Sequence, residues 1–171
     1  MRSYTPGGRF CSDFETNEIL KGISADLTNP VGSSVMWYVW EPPPTSHVDP
    51  VYDVGTADGQ GRQWRTPIQV PVIRAVIRQG ATPFIERGFY NADYLHLTLD
   101  KDELMRHIPD IFDDPDPLNR DRVVWKGEVF RPYASQMHGI ISERFTIISF
   151  DCQQIMPEEM VNDPQFQAYA Q

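Results

Sequence analysis

Apolar positions come in short bursts along this chain, not in long helical stripes. Val35-Met36-Trp37-Tyr38-Val39-Trp40 is β-branched or aromatic at nearly every position, which predicts a strand buried on both faces and too short to hold itself as a helix. It stops at Pro42-Pro43-Pro44. Residues 66–80 are ambiguous: Val70, Ile73 and Ile77 have helical spacing, but β-branched density and Pro71 favour an edge strand, and a strand is expected. Leu95, Leu97 and Leu99 alternate with His96 and Thr98, the pattern of a half-buried strand. Arg122–Trp125 and Glu128–Arg131 flank Lys126-Gly127, a two-residue connection with glycine where a hairpin turn requires positive φ. A further strand pair is expected around His138-Gly139, and Arg144–Asp151 supplies the last strand, with both faces apolar enough to be covered.

Between these strands, Asp100–Ile108 reads as a short helix, acidic in its first turn and basic in its last, closed by Pro109. The first 34 residues show no sustained period and are expected to form an N-terminal arm. From Glu41 to Arg65 the chain carries Pro50, Gly55, Gly59 and Gly61 and almost no apolar rhythm, so it is a long loop, and loops of this length in small domains usually serve a function. Residues 156–171, with Pro157 and Pro164, read as a short helix or extended C-terminal arm. The expected fold is mainly β: a small barrel or sandwich over residues 35–155, with one short helix, a long excursion at 41–65 and arms at 1–34 and 156–171. Closure into a barrel would also remove strand edges that otherwise stand exposed.

Composition narrows this further. A chain of 171 residues, 40% hydrophobic, suits one domain, and 15 prolines exclude a long-helix or coiled-coil protein. No apolar stretch is long enough to cross a bilayer and Met1–Gly8 has no leader pattern, so a soluble product made in the cytoplasm is expected. With 15 Lys and Arg against 24 Asp and Glu, the net charge of -9 excludes tight binding to a phosphate backbone as the main task, though not passive contact with DNA. The charge is divided along the chain. Residues 62–90 hold Arg62, Arg65, Arg74, Arg78 and Arg87 against Glu86 alone, whereas residues 100–121 hold Asp100, Asp102, Glu103, Asp110, Asp113, Asp114, Asp116 and Asp121 against Lys101, Arg106 and Arg120. Complementary patches of this kind suit identical subunits that dock, and equally a monomer with two unlike faces.

Candidate chemistry is sparse. His47, His96, His107 and His138 have no metal-ligand spacing; His47 with Asp49 reads as a pair in a surface turn, and His96 as a solvent-facing or interface residue. Cys11 and Cys152 lie beside no activating group; Cys152 reads as a small buried hydrophobe, and a disulfide between them stays open. No serine has a nucleophile-elbow setting, and Gly55–Arg62 lacks the ending of a phosphate cradle. No catalytic residue, metal or cofactor is expected; a small metal-dependent enzyme using His47 or His107 is the contrary reading.

Several strings, in order, resemble a known family: Val48-Asp49-Pro50-Val51-Tyr52-Asp53, Gly61–Pro67, Glu86–Tyr90, Asp121–Phe130 and Val161–Phe166 are similar to the head-to-tail stopper proteins of long-tailed actinobacteriophages. The resemblance spans about residues 35–171. It implies a non-enzymatic neck protein of the virion, assembled as a ring, a hexamer before a dodecamer, between the portal-bound adaptor and the tail terminator. Such a ring closes the channel that retains packaged double-stranded DNA and opens it at ejection; no membrane is involved. By position, His47, Asp49, Asp53, Asp58, Arg62 and Trp64 become candidates for the channel or gating loop, and Arg74, Arg78, Arg87, Asp113, Asp114 and Asp116 for the subunit interface. A tail terminator or a head-tail adaptor, the latter mostly helical, is the neighbouring alternative.

Overall fold

A computed structural model describes residues 26, 33–41, 63–80, 93–112, 120–141, 144–160 and 163–169. Within them the chain is mainly β, as its pattern predicts. The strands are β1 (Ser34–Tyr38), β2 (Trp40–Glu41), β3 (Gln63–Trp64), β4 (Ile68–Pro71), β5 (Arg74–Arg78), β6 (Tyr94–Asp100), β7 (Arg122–Trp125), β8 (Glu128–Ile141) and β9 (Arg144–Gln154). Two short helices, α1 (Lys101–His107) and α2 (Pro157–Met160), and a 3-10 turn (Pro164–Tyr169) complete them.

Seven strands form one antiparallel sheet in the order β4-β1-β7-β8-β9-β6-β5, and β2 pairs with β3 separately. The expected single strand at 66–80 is therefore two strands at opposite edges of the sheet. Only Val72 and Ile73 separate them. Three Cα steps reach at most about 11 Å, so the sheet must curl until its two edge strands come that close at this corner, without pairing to each other. The junction is bonded on both flanks: Val72 N–H donates to Ser33 O at 2.8 Å and Ile73 N–H to Thr98 O at 2.9 Å. Pro71, which has no N–H to give, sits at the end of an edge strand where that lack costs least.

Inside the roll, Val35, Trp37, Val70, Leu95, Leu97, Leu99, Val123, Phe130, Ile148 and Phe150 form the main core. The leucine alternation of β6 is borne out, since all three leucines are fully buried while His96 and Thr98 are partly exposed. Helix α1 closes the roll with Leu104, and Ile108 and Ile111 follow it into the same core. Its N-cap is Asp100, whose Oδ1 accepts from the N–H groups of Asp102 (2.8 Å) and Glu103 (3.3 Å). Burial pushes the Asp100 carboxyl upward against those two bonds.

The hairpin at Lys126-Gly127 forms as expected, with φ of 53° and 85°, the pair of left-handed residues that a two-residue turn between twisted strands requires. Beyond it, β8 runs unbroken to Ile141, so His138-Gly139 lies inside a long strand paired with β9, and the expected separate strand pair is the far half of this ladder. A register shift between Pro132 and Ala134 leaves Tyr133 as the extra residue of a bulge. Gly139 has φ 68°, and a Cβ there would lie 2.9 Å from Thr146 Oγ1, which donates to Gly139 O at 2.8 Å. Gly139→Ala should therefore lose about 1–2 kcal/mol from the left-handed backbone alone, read as a lower denaturant midpoint; an unchanged midpoint would show that this strand relaxes freely.

A second, smaller core lies outside the main one. Tyr38, Trp64, Val124, Val129, Ile155, Met160 and Phe166 pack together, with Trp40 and Tyr169 against them. The last residues of the chain, read as a short helix or arm, form α2 and the 3-10 turn, and bury Phe166 completely.

Candidate functional site

The long excursion leaves and returns through a two-stranded stem. Trp40 stands opposite Trp64 and Glu41 opposite Gln63. Arg65 N–H donates to Val39 O at 2.9 Å and extends the pairing toward the body. Two-stranded ribbons are marginal alone, so the stem needs anchors, and the structure supplies three.

The first is Asp121, 2% exposed at the start of β7. Its Oδ2 accepts from Trp37 Nε1 and its Oδ1 from the Trp40 main-chain N–H, both at 2.8 Å. One carboxylate thus ties the core strand β1 to the stem strand β2. Burial pushes this carboxyl up to about 6, opposed by its two hydrogen bonds and by the charge of Arg122. Both oxygens are occupied and out of solvent, so the group holds the chain together and is not presented to a substrate.

The second anchor is Trp64, which is 3% exposed. Its Nε1 donates to Arg120 O at 2.9 Å. Gln165 clasps its backbone from both sides, accepting from Trp64 N–H at 3.0 Å and donating to Trp64 O at 2.9 Å. The third is Phe166, whose ring meets those of Tyr38 and Trp64 edge-on, each at 4.9 Å between centroids. Arginines complete the assembly: the Arg120 guanidinium lies 4.5 Å over Trp40 and that of Arg122 5.1 Å over Trp64. Tyr38, beside Tyr169, has its hydroxyl pushed up to about 12 by burial and by that neighbour. Farther out, Arg65 Nη1 reaches Asp110 Oδ2 at 3.3 Å between two exposed side chains, a contact of little energetic weight.

Of the residues proposed from sequence, Trp64 is buried at the base of the loop. His47, Asp49, Asp53, Asp58 and Arg62 lie outside the described residues, as do Arg87, Asp113, Asp114 and Asp116. Arg74 and Arg78 are exposed on edge strand β5, opposite Thr98 and Tyr94 of β6. The arrangement adds Trp37, Asp121, Gln165 and Phe166, which pattern and spacing do not mark as site residues. The density of tryptophan around 37–64 was the available signal; the partners, 81 to 101 positions away, were not legible.

Among the described residues the other polar side chains meet in pairs. His96 Nδ1 lies 2.7 Å from Asp151 Oδ1, and His138 Nε2 lies 2.8 Å from Ser149 Oγ. Ser149 is 4% exposed on a regular strand. His107 faces Glu103 one turn back on α1, at 3.3 Å. Cys152 is a free, fully buried thiol whose ionisation burial pushes up, in keeping with its reading as a small hydrophobe. Among the described residues no group of three or more metal-ligating side chains comes together, and no helix is long and apolar enough to cross a membrane.

No family model matches this sequence, and no curated protein matches it. Among solved structures, a chain in the virion of a native gene transfer agent particle is similar, at 12% identity and a TM-score of 0.41, over 71% of this chain and 93% of that one. At that distance the likeness decides neither fold nor function.

Proposed function

We propose that this chain is a structural virion protein of a phage-type particle, acting in the neck as a ring that closes the DNA channel after packaging and lets DNA pass at ejection. The observation that carries the reading is the stem: the long proline- and glycine-bearing excursion is clamped at its base by Asp121, Trp64 and Phe166. A loop that gates needs a fixed root and a movable tip, and this is how such a root is built. The ordered strings that resemble phage stoppers support the same role, and the net charge of -9 suits a conduit whose walls should not hold a polyanion. The mainly β fold favours a stopper or tail terminator over a mostly helical adaptor.

Electron microscopy of intact particles tests the assignment directly. A ring of this chain at the head-tail junction is expected; density elsewhere would overturn it. The gating role has its own test. Because Glu41 and Gln63 are already paired, residues 42–62 can be replaced by a short glycine-containing turn. The shortened protein should fold and assemble, while filled heads carrying it leak DNA; tight heads would remove the loop from the closure mechanism.

A further inference from the structure

Among the described residues the outer flanks of β4, β5 and the far half of β8 have no strand beside them, and they are treated differently. The β4 edge is short and ends in Pro71. The β5 edge carries exposed arginines at both ends, Arg74 and Arg78. Prolines and charges of this kind are the ordinary means of keeping edges from pairing with other chains. The third edge belongs to β8. Strand β7 pairs only with Glu128, Val129 and Phe130, so from Arg131 onward β8 has β9 on one flank and no described strand on the other.

That stretch is guarded only at its start, by Pro132 and the bulge at Tyr133; beyond them it has no proline and no charge. Residues 132–142, Pro-Tyr-Ala-Ser-Gln-Met-His-Gly-Ile-Ile-Ser, contain no Asp, Glu, Lys or Arg. Ser135 to Gly139 are exposed at every position, while their partners Phe150, Ser149 and Ile148 on β9 are buried, so this part of β8 runs along the rim of the sheet. Apolar side chains are open to solvent here: Tyr133 is 49% and Met137 40% exposed on β8, and Phe145 40% on the neighbouring β9. Met137 stands opposite Ile148 and Phe145 opposite Ile140, which puts the two on opposite faces, where folding back onto one surface could not cover both.

Charge selects the partner strand. A β5 edge against its own copy would bring arginines together, and like charges facing each other across a ladder destabilise it. The β8 edge offers β5 an uncharged strand, and behind the small Ala134 of that strand stands the Asp151 carboxylate, 36% exposed. We propose that the β8 edge, Tyr133–Ile141, takes the β5 edge, Arg74–Arg78, of a second copy, so that the sheet continues from subunit to subunit. Such a contact is head-to-tail, and repeated it makes a ring or a filament. Only its closure into a ring rests on the neck reading; the pairing stands by itself.

Paired strands bring facing Cβ atoms to about 5 Å, within disulfide reach. The full chain is prepared with Cys11→Ser, leaving the buried Cys152 in place, and Gln136→Cys and Val76→Cys are introduced singly and together. These two sites share the face that bears Asp151, since Gln136 is opposite Ser149 and Val76 opposite His96. Concentrated protein and assembled particles are oxidised and run on non-reducing gels, with circular dichroism checking that each variant folds. The double variant should give a ladder of dimer, trimer and larger species, a mixture of the two single variants should stop at dimer, and each single variant alone should stay monomeric. Dimers from Gln136→Cys alone would mean that β8 pairs with itself, and would overturn the proposal. So would monomers only from the folded double variant and from a Ser135→Cys, Val76→Cys pair one residue out of register. A ladder together with microscopy that places the chain away from the junction would keep the pairing and discard the neck assignment.

Discussion

Asp121→Ala should lower folding stability by about 2–4 kcal/mol, because it leaves the Trp37 indole N–H and the Trp40 main-chain N–H without their acceptor in a buried site. Asp121→Asn keeps the shape and one acceptor oxygen but turns an amide donor toward another donor, so about 1–2 kcal/mol is expected. The pair of variants also reads out the charge. Burial raises the carboxyl from 3.8 in the unfolded chain to about 6 in the fold, so the ionised form is the one the folded state disfavours. Its contribution to stability is fully present below the unfolded value and is lost as pH rises through about 6. Between pH 4 and 7 the change is on the order of 2–3 kcal/mol from this group.

Other carboxyls titrate in the same window, Asp100 with a shift in the same direction, so the informative quantity is the difference between wild type and Asp121→Asn. That difference should widen in favour of wild type as pH falls from 7 to 4, measured by denaturant unfolding at each pH. Parallel curves would show that Asp121 is not the buried, protonatable clamp described above. The same protonation leaves both oxygens near their donors with one lone-pair site fewer, so the stem should hold across the range while its stability shifts.

Phe166→Ala is the second large effect. The ring is fully buried between Tyr38 and Trp64, and truncating a buried phenylalanine costs about 3–5 kcal/mol through lost contacts and the cavity left behind. In a chain of this size that corresponds to a fall of about 10 °C in Tm. The consequence should reach beyond stability. Gln165, next in the chain, clasps Trp64 on both sides, so freeing the 3-10 turn also loosens the root of the excursion. Limited proteolysis should then cut both after Ile155 and near Trp64. An unchanged melting temperature would mean that residues 156–171 are an appendage whose packing carries no weight for the domain.

The strands were legible wherever apolar pattern and turn chemistry agreed. The leucines of β6 and the Lys126-Gly127 hairpin follow from neighbours two to four residues apart, and the acidic start and basic end of α1 from the interaction of charge with a helix dipole. Residues 66–80 were readable as extended but not as two strands, because periodicity reports burial and says nothing about which neighbour lies on which flank. At His138-Gly139 a histidine-glycine pair suggests a break, yet Gly139 takes its left-handed conformation within a strand, held by Thr146 from β9. Loop length singled out the region around Trp64 as functional, but its nature as a buried anchor comes from groups contributed by β7 and the C-terminal segment.

By itself the sequence determined that this is an acidic, mainly β chain with a short helix after its leucine strand, since those properties depend on local conformational preference and on summed charge. The curling of the sheet at Val72–Ile73, the tie from Asp121 to Trp37 across 84 positions, and the contrast between charged and uncharged edges were decided by tertiary structure alone. Each depends on which distant groups are left to satisfy one another once the core has closed, and buried donors and acceptors must find partners wherever the packed chain has put them.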